Sequence, residues 1–397
     1  MINLVSRGGE ELLYYRFRPY SELAIKEFMY DEIYFSSAIE CNDPFDGKVF
    51  LSFEADKEKW RRLLECAWKG FDAANKLAWE EQLSEYLASI SPITYGTALG
   101  LNYNEILRSL SFPPKPLVAM FLDAQIKRFL NLYKPRNKYF VSLSRSCNNI
   151  LMWSHYASMH RGHCLIFKAV DGCLYQCPRR KKNAIRRNTP AGIGQSMSFS
   201  LPDRFPFQEV IYSPDTTHNN AFYYFPSYVV GRELEEQEKL ELDKKQSEQY
   251  LLKHNCWSYE QESRLILDSP DSWLFGENVE LTQQERLFYY LPNQLVGVIL
   301  GARMDAQQKM RFRELIQARM ERIAHDPGDN TPVFYFTLFE ATLHDNSREV
   351  VIEPKEIFTL TETIKQYESN FEKYLHEWRE GWALVFNKSS GYREQFL

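Results

Sequence analysis

The stretch 138–167, KYFVSLSRSCNNILMWSHYASMHRGHCLIF, decides the fold class. Its first seven residues, Lys138 to Ser144, mix aromatic, β-branched and apolar side chains and read as a strand. Asn148-Asn149 can cap a helix running from Ile150 to about His160, and Gly162 supplies the left-handed residue that ends it. Cys164 to Phe167 is a second strand. Two strands flanking one short helix indicate an α+β protein with a mixed or antiparallel central sheet.

Working outward, Leu12 to Phe17 reads as a strand stopped by Arg18-Pro19, followed by a helix capped by Ser21 and ending at Tyr30. EIYFSS (32–37) is strand-like and empties into the turn formers NDPFDG (42–47). Residues 57–132 read as a helical insertion broken at Ser91-Pro92 and Pro114 to Pro116. Residues 176–205 read as a flexible, solvent-exposed basic insertion. A charged helix over 233–252 precedes WSYEQESRLIL (257–267), which alternates as one long strand. LVGVIL (295–300) is an apolar strand, 305–324 a helix, 333–338 a strand and 363–386 a terminal helix. The expected organisation is one α+β domain over 1–325 and a strand-and-helix extension over 326–397.

Of the 397 residues, 44% are hydrophobic and 15% aromatic, which excludes a disordered chain. The formal net charge of −5 gives the whole molecule no reason to seek nucleic acid, so such binding would need the local patch from Arg179 to Arg187. No stretch has the roughly 18 to 20 apolar residues of a spanning helix, and the start carries Arg7, Glu10 and Glu11; a cytoplasmic protein is expected. Seven cysteines argue against a disulfide framework, and the Cys173/Cys177 pair lacks the second half of a zinc site.

Four constellations carry chemistry. In the first strand Tyr14, Arg16 and Arg18 share one face, where an arginine can fix an anion, while Tyr15 and Phe17 share the other. Asn42, Asp43 and Asp46 either hold their own turn or offer carboxylates to a cation. Trp153, His155 and Tyr156 can stack on a planar ligand, or Trp153 and Tyr156 are core; His155 and His160 lie about 140° apart on a helix, so they share no metal, and His160 can interact with the helix end. Glu260, Glu262 and Arg264 fall on one face of a strand, where a second carboxylate and an arginine make pKa tuning available; the bland alternative is the solvated side of a sheet. Cys147 and Cys164 are poor nucleophile candidates, Cys164 because apolar burial raises a thiol pKa.

YYRFRP, IYFSSAIECNDPFDG, the 138–167 stretch, WSYEQESRLI and LVGVILG together resemble a bacterial family, domain-of-unknown-function family 2971, with NDPFD and MWSHYA...HRG the specific parts. That label carries no activity. The chain is also similar to ADP-ribosyltransferases, which implies a split sheet and assigns Arg16, Ser144, Glu260 and Glu262 as catalytic. It further implies that Tyr15, Arg16, Ser142, Trp153, His155 and Tyr156 bind NAD as substrate, with Asn42, Asp43, Asp46, His160 and Arg264 around the substrate or its loop. The expected function is therefore an NAD-consuming enzyme, an ADP-ribosyltransferase or NAD glycohydrolase, in a bacterial stress or phage-defence role. Its partners would be a nucleotide-like small molecule and a macromolecular acceptor, with no membrane. The alternatives are a metal-dependent nuclease or phosphate-ester hydrolase that holds Mg²⁺ on Asp43, Asp46, Glu260 and Glu262, and a non-catalytic sensor that binds partners through its charged and terminal helices.

Overall fold

The computed structural model describes residues 13–47, 50–53, a few positions between 55 and 63, 101–102, 131–133, 135–188, 196–215, 218–271, 279–324, 335–359 and 361–388. The helical insertion expected over 57–132 lies almost wholly outside the described residues.

The main elements are β1 (Leu13–Arg18), α1 (Glu22–Met29), β2 (Lys138–Ser144), α2 (Ile150–Tyr156), β3 (His163–Lys168), β4 (Gln208–Glu209) and β5 (Glu262–Asp268). After them come β6 (Leu295–Leu300), α3 (Ala306–Ala324), β7 (Phe336–Leu343), β8 (Val350–Phe358), β9 (Thr363–Lys365) and α4 (Phe371–Lys388). One nine-stranded sheet runs β4-β5-β2-β1-β3-β6-β7-β8-β9. Within this sheet, among the described residues, only β6 and β7 pair in parallel, across α3, so the sheet is mixed and the fold is α+β. β3 and β6 are buried along their whole lengths, as expected for unalternating apolar strands at the centre of a sheet covered on both faces. α1 and α3 cover one face, where Phe28 meets Phe312 and Phe336. α2 and α4 cover the other, where Trp153 meets Phe17 and Trp378 meets Phe339. No helix among the described residues is long and apolar enough to cross a membrane.

Local signals explain the element ends. Ser21 accepts from the Ala24 amide and Asn149 from Leu151 and Met152, capping α1 and α2 as their side chains allow. α2 is shorter than expected, and Gly162 is not its left-handed residue: Ser158, Met159 and His160 take positive φ in succession. Gly162 is required for space, since a Cβ there would lie 2.1 Å from the Arg18 carbonyl oxygen.

The stretch 257–267 is not one strand. Asn255–Glu260 is a 3₁₀ helix, Gln261 turns the chain in left-handed backbone (φ 45°), and β5 begins at Glu262. The terminal region expected as a helix over 363–386 divides into β9 and α4. β7, β8 and β9 continue the main sheet, so the described residues from Phe336 to Lys365 are built into the fold. β8, for which the sequence reading has no strand, carries Pro354 where its register with β7 shifts, a place where a missing N–H is tolerated. The described residues of the basic segment include a hairpin of Ala184–Asn188 and Ser196–Ser200 anchored by buried Ile185, Leu201 and Phe205, where the sequence reading has a flexible insertion.

One irregularity makes room for a site. β1 is joined to β3 over six register pairs but to β2 only through Tyr15 and Ser144. The strands part there, and Ser36 instead takes both backbone groups of Phe140, at 2.9 Å each. The loop that follows, through NDPFDG, is thereby drawn into the split.

Candidate active site

A cavity of about 290 Å³ fills the split between β1 and β2. Tyr15, Ser142, Ser144, Tyr156, Glu260 and Glu262 line it, together with Asn42, Cys41 and Asp46 from the inserted loop. Cross-strand register explains part of this convergence: Ser144 is opposite both Tyr15 and Glu262, and Ser142 is opposite Arg264, so their side chains share one face of the sheet.

Five buried charges meet at the floor. Lys253 Nζ lies 2.6 Å from Glu260 Oε2, 3.0 Å from Glu262 Oε2 and 3.3 Å from Asp46 Oδ2. Arg264 donates to Glu262 Oε1 at 2.8 Å and to Glu262 Oε2 at 2.9 Å, and to Asp46 Oδ1 at 2.5 Å. Its other Nη reaches the Tyr250 carbonyl at 2.6 Å. Among the described residues three carboxylates thus face two cations, an excess of one negative charge in a buried environment where uncompensated charge is costly.

That excess separates the two glutamates. Burial pushes the Glu260 carboxyl above the usual range despite the attraction of Lys253, and the neighbouring Glu262 adds to the rise. Burial also opposes ionisation of Glu262, but Arg264, Lys253 and a hydrogen bond from Ser142 outweigh it and hold that carboxyl at about 2. Glu262 is therefore a fixed anion and Glu260 the group that can exchange a proton. Tyr156 donates its hydroxyl to Glu260 Oε1 and accepts from Asn42 Nδ2 at 2.8 Å. Burial and that contact raise the phenol's pKa, so Tyr156 serves as a donor.

The loop aspartates divide their roles. Asp43 Oδ1 accepts from the Phe45 amide at 2.9 Å and holds the turn, while Asp46 joins the charged floor. Ser144 does not stand free as a catalytic hydroxyl: Oγ donates to the Glu260 carbonyl at 2.6 Å and accepts from the Ser146 amide at 3.1 Å, tying the 3₁₀ helix to β2. Arg16 borders the cavity, but its guanidinium is on the α1 side, where it shares Glu27 with Arg18 at 3.4 and 2.8 Å. Among the described residues the cations on the carboxylate side are Lys253 and Arg264. Trp153 is fully buried and donates to the Cys147 carbonyl at 2.7 Å, so it packs the core and offers no stacking surface to a ligand. His155 is exposed and absent from the cavity lining, and His160 is held behind α2 by Ser154 at 3.3 Å. Cys41 reaches the cavity, yet burial and Asp46 push its thiol up to about 12, which leaves it a poor nucleophile. Cys147 is likewise pushed to about 12 and Cys164 well above its ordinary value by burial.

Sequence reasoning missed Lys253, the centre of the cluster. The available signal was a lysine in an apolar run, Tyr250-Leu251-Leu252-Lys253, just after a charged helix. Lys253 also walls a second, mostly apolar cavity of about 550 Å³, to which Phe45 and Trp257 contribute aromatic surface. Its Nζ lies 5.2 Å from the Trp257 ring centroid.

Part of the site lies in a region that matches a family model. Residues 152–265 match the family described as Protein of unknown function (DUF2971). The DUF2971 match contains Tyr156, Lys253, Glu260, Glu262 and Arg264, whereas Asn42, Asp46, Ser142 and Ser144 come from outside it. It bears out the resemblance carried by the MWSHYA...HRG and WSYEQESRLI motifs. No curated protein and no solved structure matches the chain.

Proposed function

We propose that the cavity is the active site of an NAD-consuming enzyme that cleaves the bond between nicotinamide and ribose, passing the ribosyl carbon to water or to an acceptor. The observation that carries this reading is the glutamate pair: two buried carboxylates at the floor of one cavity, with pKa values pushed in opposite directions. As the C1′–N1 bond breaks, its electron pair returns to the nicotinamide nitrogen and the ribosyl carbon becomes oxocarbenium-like. The ionised cluster carries one excess negative charge beside that developing cation, an interaction stronger in the transition state than in the ground state. Glu260, with its raised pKa, accepts the proton of the attacking water or acceptor hydroxyl. Tyr156 and Asn42 orient it, while Glu262 and Arg264 hold its surroundings rigid. The cavity suits the ribosyl-nicotinamide end of the substrate, and the apolar cavity beyond Lys253 suits a second planar ring. A cytoplasmic location fits this substrate and the free cysteines among the described residues.

The metal-dependent hydrolase reading has less support, because Lys253 Nζ already occupies the position on which Asp46, Glu260 and Glu262 converge. Nicotinamide release from NAD⁺ by the wild type and by Glu260→Gln, with urea unfolding of both, tests the proposal. Glu260→Gln should remain folded and lose about 10²-fold or more in rate. Absence of nicotinamide release from folded wild type, with and without a cell extract supplying acceptors, would remove the reading.

A further inference from the structure

A second charged cluster lies on the opposite side of the sheet from the glutamate pair, in the turn after α1. Asp31 is fully buried there in left-handed backbone (φ 57°). Arg319 Nη2 donates to its Oδ1 at 2.8 Å, while Arg180 Nη2 and Arg322 Nη2 both donate to its Oδ2, at 2.8 and 2.7 Å. Part of this arrangement is structural. Arg319 Nε reaches the Phe28 carbonyl at 3.1 Å and Arg180 Nη1 the Tyr30 carbonyl at 2.6 Å, satisfying the last turn of α1.

Those bonds leave the charge unbalanced, with three guanidiniums around one carboxylate among the described residues. They also leave donors unused: Arg319 Nη1 and Arg322 Nε are buried with no hydrogen-bond partner among the described residues. Arg180 and Arg322, which converge on a single oxygen, are each about one-third exposed. Elsewhere in the basic segment Lys181 pairs with Asp203 at 2.5 Å and Arg187 with Glu285 at 2.6 Å, while Lys182 donates to the Gln284 carbonyl and Arg204 to the Tyr175 hydroxyl. Around Asp31 the three guanidiniums converge on a point, unlike the extended track that follows a nucleic-acid backbone.

We propose that Arg180, Arg319 and Arg322 form a binding site for a phosphate-class oxyanion, either inorganic phosphate or a phosphomonoester, separate from the cavity between β1 and β2. Paired guanidinium forks match the several acceptor oxygens of a tetrahedral oxyanion, and its negative charge offsets the repulsion among three like charges. This site does not depend on the reaction assigned to Glu260.

The test is thermal unfolding of the full chain in inorganic phosphate against chloride at matched ionic strength, with adenosine monophosphate and adenosine as a second pair of probes. A saturable rise of the midpoint in phosphate identifies a free-anion site. A rise with adenosine monophosphate alone, absent with adenosine, identifies a phosphomonoester site. Arg180→Gln and Arg322→Gln, both at partly exposed positions, should each weaken the apparent affinity at least about tenfold, whereas Glu260→Gln leaves it unchanged. Arg322→Lys, which keeps the charge and loses the fork, should fall between. Equal midpoints in phosphate and chloride together with no effect of adenosine monophosphate overturn the proposal. So does a phosphate or nucleotide response that survives in both Gln variants.

Discussion

The two buried charge clusters differ in the sign of their imbalance. Among the described residues, three carboxylates face two cations around Lys253, and three guanidiniums face one carboxylate around Asp31. A carboxylate surplus can be relieved from within by retaining a proton, and Glu260 shows the corresponding rise. A guanidinium surplus has no such outlet, because arginine keeps its proton in proteins and can be neutralised only by another group. The first kind of cluster is equipped for proton transfer and the second for holding an anion.

The largest expected effect removes a cation from the acidic cluster. Arg264→Met leaves Glu262 and Asp46 buried against Lys253 alone and should lower stability by about 3–5 kcal/mol in urea unfolding. A loss below about 1 kcal/mol would mean that the cluster is far wetter than its burial implies.

Next comes pH. The Glu262 carboxyl is lowered from 4.5 to about 2, so its contribution, about 3 kcal/mol by linkage, is complete above its unfolded pKa and disappears as pH falls toward 2. Glu260 is raised, so its contribution is complete below its unfolded pKa and disappears as pH rises through its folded value. Urea midpoints across pH should therefore flatten on the acid side in Glu262→Gln and on the rising side in Glu260→Gln. Identical profiles for the two variants would contradict the division of roles.

A smaller effect tests the tether. Ser144→Ala removes the bond to the Glu260 carbonyl and should reduce stability by about 1–2 kcal/mol while slowing nicotinamide release. Unchanged turnover would place the positioning of Glu260 elsewhere. The smallest sharpens the contrast with the basic cluster: Arg322→Gln in chloride should change stability by less than about 1 kcal/mol, because it relieves repulsion as it removes an ion pair.

Much of the sheet was legible because its central strands announce themselves locally. KYFVSLS and LVGVIL coincide with β2 and β6, and Ser21 and Asn149 cap the helices they precede. The stretch 257–267 misled because Trp257, Tyr259 and the alternating charges imitate a strand. The chain instead turns at Gln261, and Glu260 and Glu262 meet through Lys253 and not through strand alternation. Trp153 was ambiguous for another reason: a stacking surface and a core residue have the same local spacing on a helix, and only packing against Phe17 and Cys147 separates them.

The sequence by itself determined the α+β class, most strand and helix positions, the turn role of NDPFDG and the presence of a Glu-x-Glu-x-Arg run, because propensity, capping and periodicity act over a few residues. Tertiary structure decided which charges became a site. Asp46 reaches Arg264 across 218 residues of chain, Lys253 enters between three carboxylates, and Arg16 turns away to Glu27. Proton affinities follow from burial and from the neighbours that burial imposes, and both come into being only when distant segments pack together.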